Sequence, residues 1–370
     1  MSAPTDRDPS APPPPPEWWL FRGTGTPRPQ LDLGARLRAV PPWRVYGGGP
    51  HLPPPPGDER GDRLLGTGHR TDDGSRPADP ARLDLLDKVN AALYLRRPLL
   101  LSGPPGVGKS SLAHQIAREL GLGRVLVWSV NSTATVRTAC YVYDPISRIH
   151  DINLDMGRAD PEAPGADGPR SGAQHIGRYL TLGPVGTAFL PQELPRVLLV
   201  DDFDLGDFDL AGDLLDLFEN GEFPIPELER LSGVAETIEV GTHDPGRTAP
   251  VTRGRVVCSA FPIVILTCNS ERELPQAFMR RCIPAQVGLP SEEELLRMVA
   301  RHFRGDPPPV ARQLVEEFLQ RSATGRLSVD QLLNAVQLVA TTSPGVKSLD
   351  SKQMDHLKKV VWHYLTEPAG

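Results

Sequence analysis

Residues 99–111 read Leu-Leu-Leu-Ser-Gly-Pro-Pro-Gly-Val-Gly-Lys-Ser-Ser, a short apolar run that ends in a glycine-rich loop and passes directly into a helical pattern. The apolar run has the length and continuity of a buried strand. Gly103, Gly106 and Gly108 can take backbone angles closed to other residues, so that N–H groups of the loop converge on an anion. The helix that follows presents the positive end of its dipole to the same point. With the spacing G-x-x-x-x-G-K-S, the stretch Gly103, Pro104, Pro105, Gly106, Val107, Gly108, Lys109, Ser110 and Ser111 makes a cradle for a polyphosphate. Lys109 is placed to reach the β and γ phosphates of a nucleotide such as ATP, and Ser110 to ligate Mg2+.

The other chemistry that composition allows is narrow. A net charge of −6 over 370 residues gives no electrostatic pull toward nucleic acid. Cys140, Cys258, Cys268 and Cys282 form no C-x-x-C pair, and the nine His form no H-E-x-x-H, which fits a reduced cytoplasmic chain. No apolar run of some 18 residues and no leader pattern is present, so a soluble, intracellular protein is expected.

The 41 Pro and 35 Gly are concentrated toward the start, with Pro12–Pro16 and Pro53–Pro56 in unbroken runs. Residues 1–60 are therefore expected to form a Pro/Gly-rich, largely disordered arm. Two apolar islands within it, Trp18–Phe21 and Pro42–Tyr46, would dock on the core or on a partner. From 61 to 287 strands alternate with helices, the pattern of an α/β domain on a parallel sheet. Asp79-Pro80 opens a helix with Leu83, Leu86, Val89, Ala92 and Leu93 at helical spacing; strands are expected at 99–102, 124–130, 195–201 and 261–267, and helices at 110–120, 207–219 and 273–282. Two insertions interrupt the domain, a Gly/Pro-rich one near 150–180 and a β-rich hairpin near 223–258. Residues 288–370 read as a small helical domain.

A second element completes the site. Val197-Leu198-Leu199-Val200 runs into Asp201 and Asp202, and the carboxyl end of a parallel strand lies beside the cradle. Asp201 is the expected metal residue and Asp202 the expected base for an attacking water. A third apolar strand, Ile263–Leu266, leads to Asn269, whose amide can bond the γ-phosphate or that water.

The next residues, Ser270 to Cys282 (Ser-Glu-Arg-Glu-Leu-Pro-Gln-Ala-Phe-Met-Arg-Arg-Cys), resemble the segment after the sensor strand in the MoxR branch of the AAA+ ATPases. Leu182–Ala188 (Leu-Gly-Pro-Val-Gly-Thr-Ala) and Asn220–Leu228 are similar to that family as well, and the resemblance covers about residues 80–345. It implies a P-loop NTPase (AAA+) core with a C-terminal helical lid, Gly103–Ser110 as Walker A, Asp201 and Asp202 as Walker B, and Asn269 as first sensor. Arg280 or Arg281 would be the arginine finger, reaching the site of a neighbouring protomer. A homo-oligomeric ring, usually a hexamer, follows from that role, with ATP and Mg2+ bound and a partner protein remodelled or activated, a von Willebrand A-type protein being the natural one. Two departures stand out. The family usually has Glu where this chain has Asp202, which draws the carboxylate back by roughly 1.5 Å from a water it must meet within hydrogen-bond reach, so hydrolysis is expected to be slow. The lid helix has Asp330 where an Arg is expected, leaving Arg326 to act as lid sensor from one turn earlier. The competing reading is an ATP-gated switch or scaffold that hydrolyses little; a nucleic-acid motor is disfavoured by the acidic balance.

Overall fold

A computed structural model describes residues 15–66, 80–158, 175–269, 274–303, 311–322 and 328–342. Its strands are β1 (Leu99–Ser102), β2 (Leu126–Ser129), β3 (Tyr141–Tyr143), β4 (Leu180–Leu182), β5 (Val197–Asp201), β6 (Glu222–Pro224), β7 (Thr237–Gly241), β8 (Thr248–Thr252), β9 (Arg255–Val257), β10 (Ile263–Cys268) and β11 (Ile283–Gln286). Five of them form a parallel sheet in the order β11-β1-β10-β5-β2.

The apolar runs behave as a doubly covered sheet requires. Leu99, Leu101, Val197, Leu199, Ile263 and Ile265 enter one core, and their alternates Leu100, Leu198, Val200, Val264 and Leu266 enter the other. Both faces are apolar because both are covered, while the period of two still decides which core each residue joins. Helices Pro80–Leu95 and Lys109–Leu120 cover the first face through Leu86, Val89, Leu93, Leu112 and Ile116. Helix Leu210–Asn220 covers the second through Leu210, Leu214, Leu217 and Phe218, together with the inner residues of a mainly antiparallel sheet ordered β3-β4-β7-β8-β9-β6. That sheet contains the hairpin expected near 223–258. Most of the other insertion lies outside the described residues.

A third core holds Leu295, Val299, Leu314, Val315, Phe318, Leu332 and Val336. It joins helices Glu292–His302, Ala311–Ser322 and Val329–Thr342. The first of these starts on a reciprocal capping box, Ser291 with Glu294, which satisfies two otherwise unpaired backbone donors. Among the described residues no helix is long and apolar enough to cross a membrane.

Two expectations are corrected. The helix expected over 273–282 is a single turn, Gln276–Met279, because the chain must reach β11 at Ile283, whose N–H bonds Pro98 O at 2.8 Å. The larger correction concerns the arm. Residues 15–66 lie along the domain rather than being disordered. Trp19, Leu20 and Phe21 are buried in the first core, where the fully buried Asn90 side chain accepts from Leu20 N at 2.7 Å and Phe21 N at 2.9 Å and donates to Phe21 O at 2.7 Å. Glu119, fully buried at the end of the helix Lys109–Leu120, accepts from the N–H groups of Arg22, Thr24 and Gly25 and from the Thr24 hydroxyl. The second island docks through Arg44, 5.0 Å over the Phe261 ring, and through Tyr46, stacked on the same ring. Composition argued for disorder because the segment has little apolar surface of its own. What it lacks is supplied by core side chains that satisfy its backbone.

Candidate functional site

The cradle forms at the carboxyl edge of the parallel sheet. In the β1–β10 register Ser102 faces Cys268, and in the β10–β5 register Leu266 faces Val200. The segments that leave β1, β5 and β10 therefore emerge side by side. Gly103 and Gly106 are sterically obligatory: a Cβ at Gly103 would lie 2.2 Å from Val287 O, and one at Gly106 2.3 Å from Ser328 Cβ. Gly106 is also left-handed, with φ of 75°, a conformation costly for other residues. The lid meets the loop at that glycine, where Val329 N donates to Gly106 O at 3.1 Å. Pro104, Pro105 and Gly106 form the exposed crest, Val107 is buried beneath it, and Gly108 caps the helix in which Lys109, Ser110 and Ser111 make the first turn.

Lys109 Nζ donates to Gly103 O and Pro104 O, each at 2.8 Å, and to Asn269 Oδ1 at 2.9 Å. Burial pushes this ammonium below its ordinary pKa, and the charges of Asp202, Asp204 and Asp201 oppose that shift. Asn269 is a bridge, because its Nδ2 donates to Asp202 Oδ1 at 3.2 Å. The Ser110 hydroxyl donates to Asp201 Oδ1 at 2.6 Å. A hydroxyl and a carboxylate at the end of β5 are hard oxygen donors of the kind Mg2+ takes beside phosphates, so the residues present fit the ion and the nucleotide.

Asp201, Asp202 and Asn269 thus come together with Lys109 and Ser110. Two further residues belong to the group. Thr267, 1% exposed, donates to Asp201 Oδ1 at 2.7 Å and accepts from Asp202 N at 2.9 Å. It fixes Asp202 where the chain turns left-handed at φ of 56°. Asp204, in the turn Phe203–Leu205, accepts from Asn269 N through Oδ2 at 3.0 Å, while its buried Oδ1 has no hydrogen-bond partner among the described residues. An unpaired buried acceptor of this kind costs about 1–3 kcal/mol, more when charged. Burial pushes the Cys268 thiol up to about 12, with the charge of Asp204 adding to the effect, so Cys268 is a neutral wall of the site.

The arginines lie elsewhere. Arg97, just before β1, donates to Arg281 O at 3.2 Å and to Arg280 O, which puts both arginines at the amino edge of the sheet. A four-residue strand such as β11 spans roughly 13 Å, and the cradle lies beyond its far end. Arg281 is bound to Glu219 and, at 3.2 Å, to Ala277 O. Arg280 is exposed, and its guanidinium has no partner among the described residues. Arg326 lies outside the described residues.

Residues 99–161 match the profile of the ATPase family associated with various cellular activities (AAA). No curated protein matches the chain. The matched segment holds the cradle and its helix and ends before Asp201 and Asn269, which the fold brings to it. With the parallel sheet order and the match to the AAA profile, the core is an α/β P-loop NTPase fold.

Proposed function

We propose that this AAA-type domain binds and hydrolyses ATP in a ring of identical protomers and uses the cycle to remodel or activate a partner protein, in the manner of the MoxR branch it resembles. The observation that carries the hydrolytic reading is the bridge made by Asn269 between Lys109 and Asp202, which joins a phosphate-binding cation to an acid at the tip of β5. Phosphate oxygens would replace the Gly103 and Pro104 carbonyls on Lys109, and Ser110 and Asp201 would hold Mg2+. When bound, the ion supplies neutralising charge for the phosphates. Asp202 orients the water and takes its proton as the water oxygen bonds to the γ-phosphorus and the bond to the β-phosphate oxygen breaks. Its short side chain makes slow turnover the expectation. A von Willebrand A-type protein is the partner that the resemblance favours, and the lid, seated on Gly106, is the element through which the nucleotide state reaches it.

The test is steady-state phosphate release from ATP and GTP with and without Mg2+. Wild type should turn over ATP slowly and only with Mg2+. Lys109→Ala should lose on the order of 100-fold, the scale of a removed transition-state donor, and Asp202→Glu should gain rate. Wild-type release equal to that of Lys109→Ala would refute the hydrolytic reading.

A further inference from the structure

We propose that Asp204 is a positioning residue of the nucleotide site: it clamps the backbone of Asn269 and so places the amide that spans Lys109 and Asp202. The inference rests on the ATPase reading above. Three acids are buried among the described residues: Glu119, Asp204 and Asp244. Glu119 accepts four hydrogen bonds from the 22–25 segment, and Asp244 takes both Arg196 amino groups at 2.7 and 3.0 Å. Both are occupied as fold anchors should be. Asp204 is buried too, at 8% exposure, and uses one oxygen, on Asn269 N, leaving the other without a partner among the described residues. Asp58, paired with the buried His114, also leaves a buried oxygen without a partner among the described residues, so what sets Asp204 apart is where its single bond goes.

The position of Asp204 gives that bond its consequence. It stands three residues after Asp201 in the turn that leaves β5, and its single bond crosses to the residue that follows β10. Asn269 has no slack to lose: its side-chain oxygen is 2.9 Å from Lys109 Nζ and its nitrogen 3.2 Å from Asp202 Oδ1. A displacement of about 1 Å at its backbone would misplace both groups together, an error that costs rate far more than binding.

The experiment measures kcat and KM for Mg2+-ATP, and thermal midpoints, for wild type, Asp204→Ala, Asp204→Asn, Asn269→Ala and the Asp204→Ala/Asn269→Ala double variant. Asp204→Ala should lower kcat at least tenfold and shift KM less than threefold, with a midpoint equal to wild type or higher. Asp204→Asn, which keeps an acceptor for the N–H but not the charge, should fall between the two in kcat. Because Asp204 acts through Asn269, removing it from Asn269→Ala should cost no more than a further twofold. An Asp204→Ala kcat within twofold of wild type, losses that multiply in the double variant, or rate losses that follow a falling midpoint in both Asp204 variants would overturn the inference while leaving the ATPase reading intact. Should the alanine protein fail to fold, an unchanged kcat in Asp204→Asn overturns it. Absence of wild-type turnover above Lys109→Ala overturns both.

Discussion

Thr267 holds two charged neighbours with one hydroxyl, giving its proton to Asp201 Oδ1 and receiving the N–H of Asp202. Valine has the same shape and neither bond. Thr267→Val should therefore keep the packing of β10 and release the turn after β5, with a stability loss of about 1–3 kcal/mol for the donor left behind, measured by urea unfolding. It should also raise the Mg2+ concentration for half-maximal ATPase several-fold, while Thr267→Ser stays near wild type. The sequence cannot announce such a residue. A threonine near the end of an apolar strand reads as a β-branched filler, and an Asp three places after the strand reads as an ordinary turn former. Both gain meaning from contacts across 65 or 66 residues, and those exist because β10 inserts beside β5, which no periodicity reveals. Lys109, Ser110, Asp201 and Asn269 were legible for the opposite reason: a loop spacing or a strand tip fixes their position locally.

The strands and long helices of the core are set by local pattern, whereas the 15–66 segment is set by what receives it. Prolines restrict the unfolded chain, so an extended strap loses less entropy when it is ordered, and Asn90, Glu119 and Arg82 satisfy its backbone. One further tie links it to the nucleotide-binding helix: Asp58 Oδ2 lies 2.6 Å from Nδ1 of the buried His114. Burial pushes the Asp58 carboxyl upward, but the hydrogen bond and charge of His114 and the N–H groups of Gly61 and Val125 outweigh it and hold the group below the usual carboxylate range. A depressed acid contributes stability that is complete above its unfolded pKa and is lost as pH falls through its folded one. The difference in urea midpoint between wild type and Asp58→Asn should thus be at full size above about pH 5 and shrink steadily as the pH is lowered from there. A gap independent of pH would show that the pair contributes through packing rather than charge.

At the scale of the whole molecule, the two arginines at the amino edge of the sheet decide between a self-contained site and a shared one. Arg281 is engaged by Glu219 of its own chain, and Arg280 is exposed without a partner among the described residues. Neither can cross the length of β11 to the cradle of its own protomer. In the head-to-tail ring proposed above, contact between one protomer's amino edge and the next protomer's carboxyl edge would combine one chain's Asp202 with its neighbour's Arg280. This arrangement makes a prediction that no single substitution can. On that proposal, Arg280→Ala and Asp202→Asn should each be inactive as pure proteins, since every site would lack either the neighbour's arginine or its own acid. Mixed in equal amounts and allowed to exchange protomers, they should recover activity, because some interfaces pair an intact Asp202 with an intact Arg280. Random mixing gives about a quarter of interfaces that composition, which sets the ceiling for independent sites. The recovery should rise and fall with mixing ratio and peak near equal amounts. A mixture as inactive as its components would place the missing charge within the protomer or assign it to another residue, and recovery with Arg281→Ala in place of Arg280→Ala would exchange the roles of the pair.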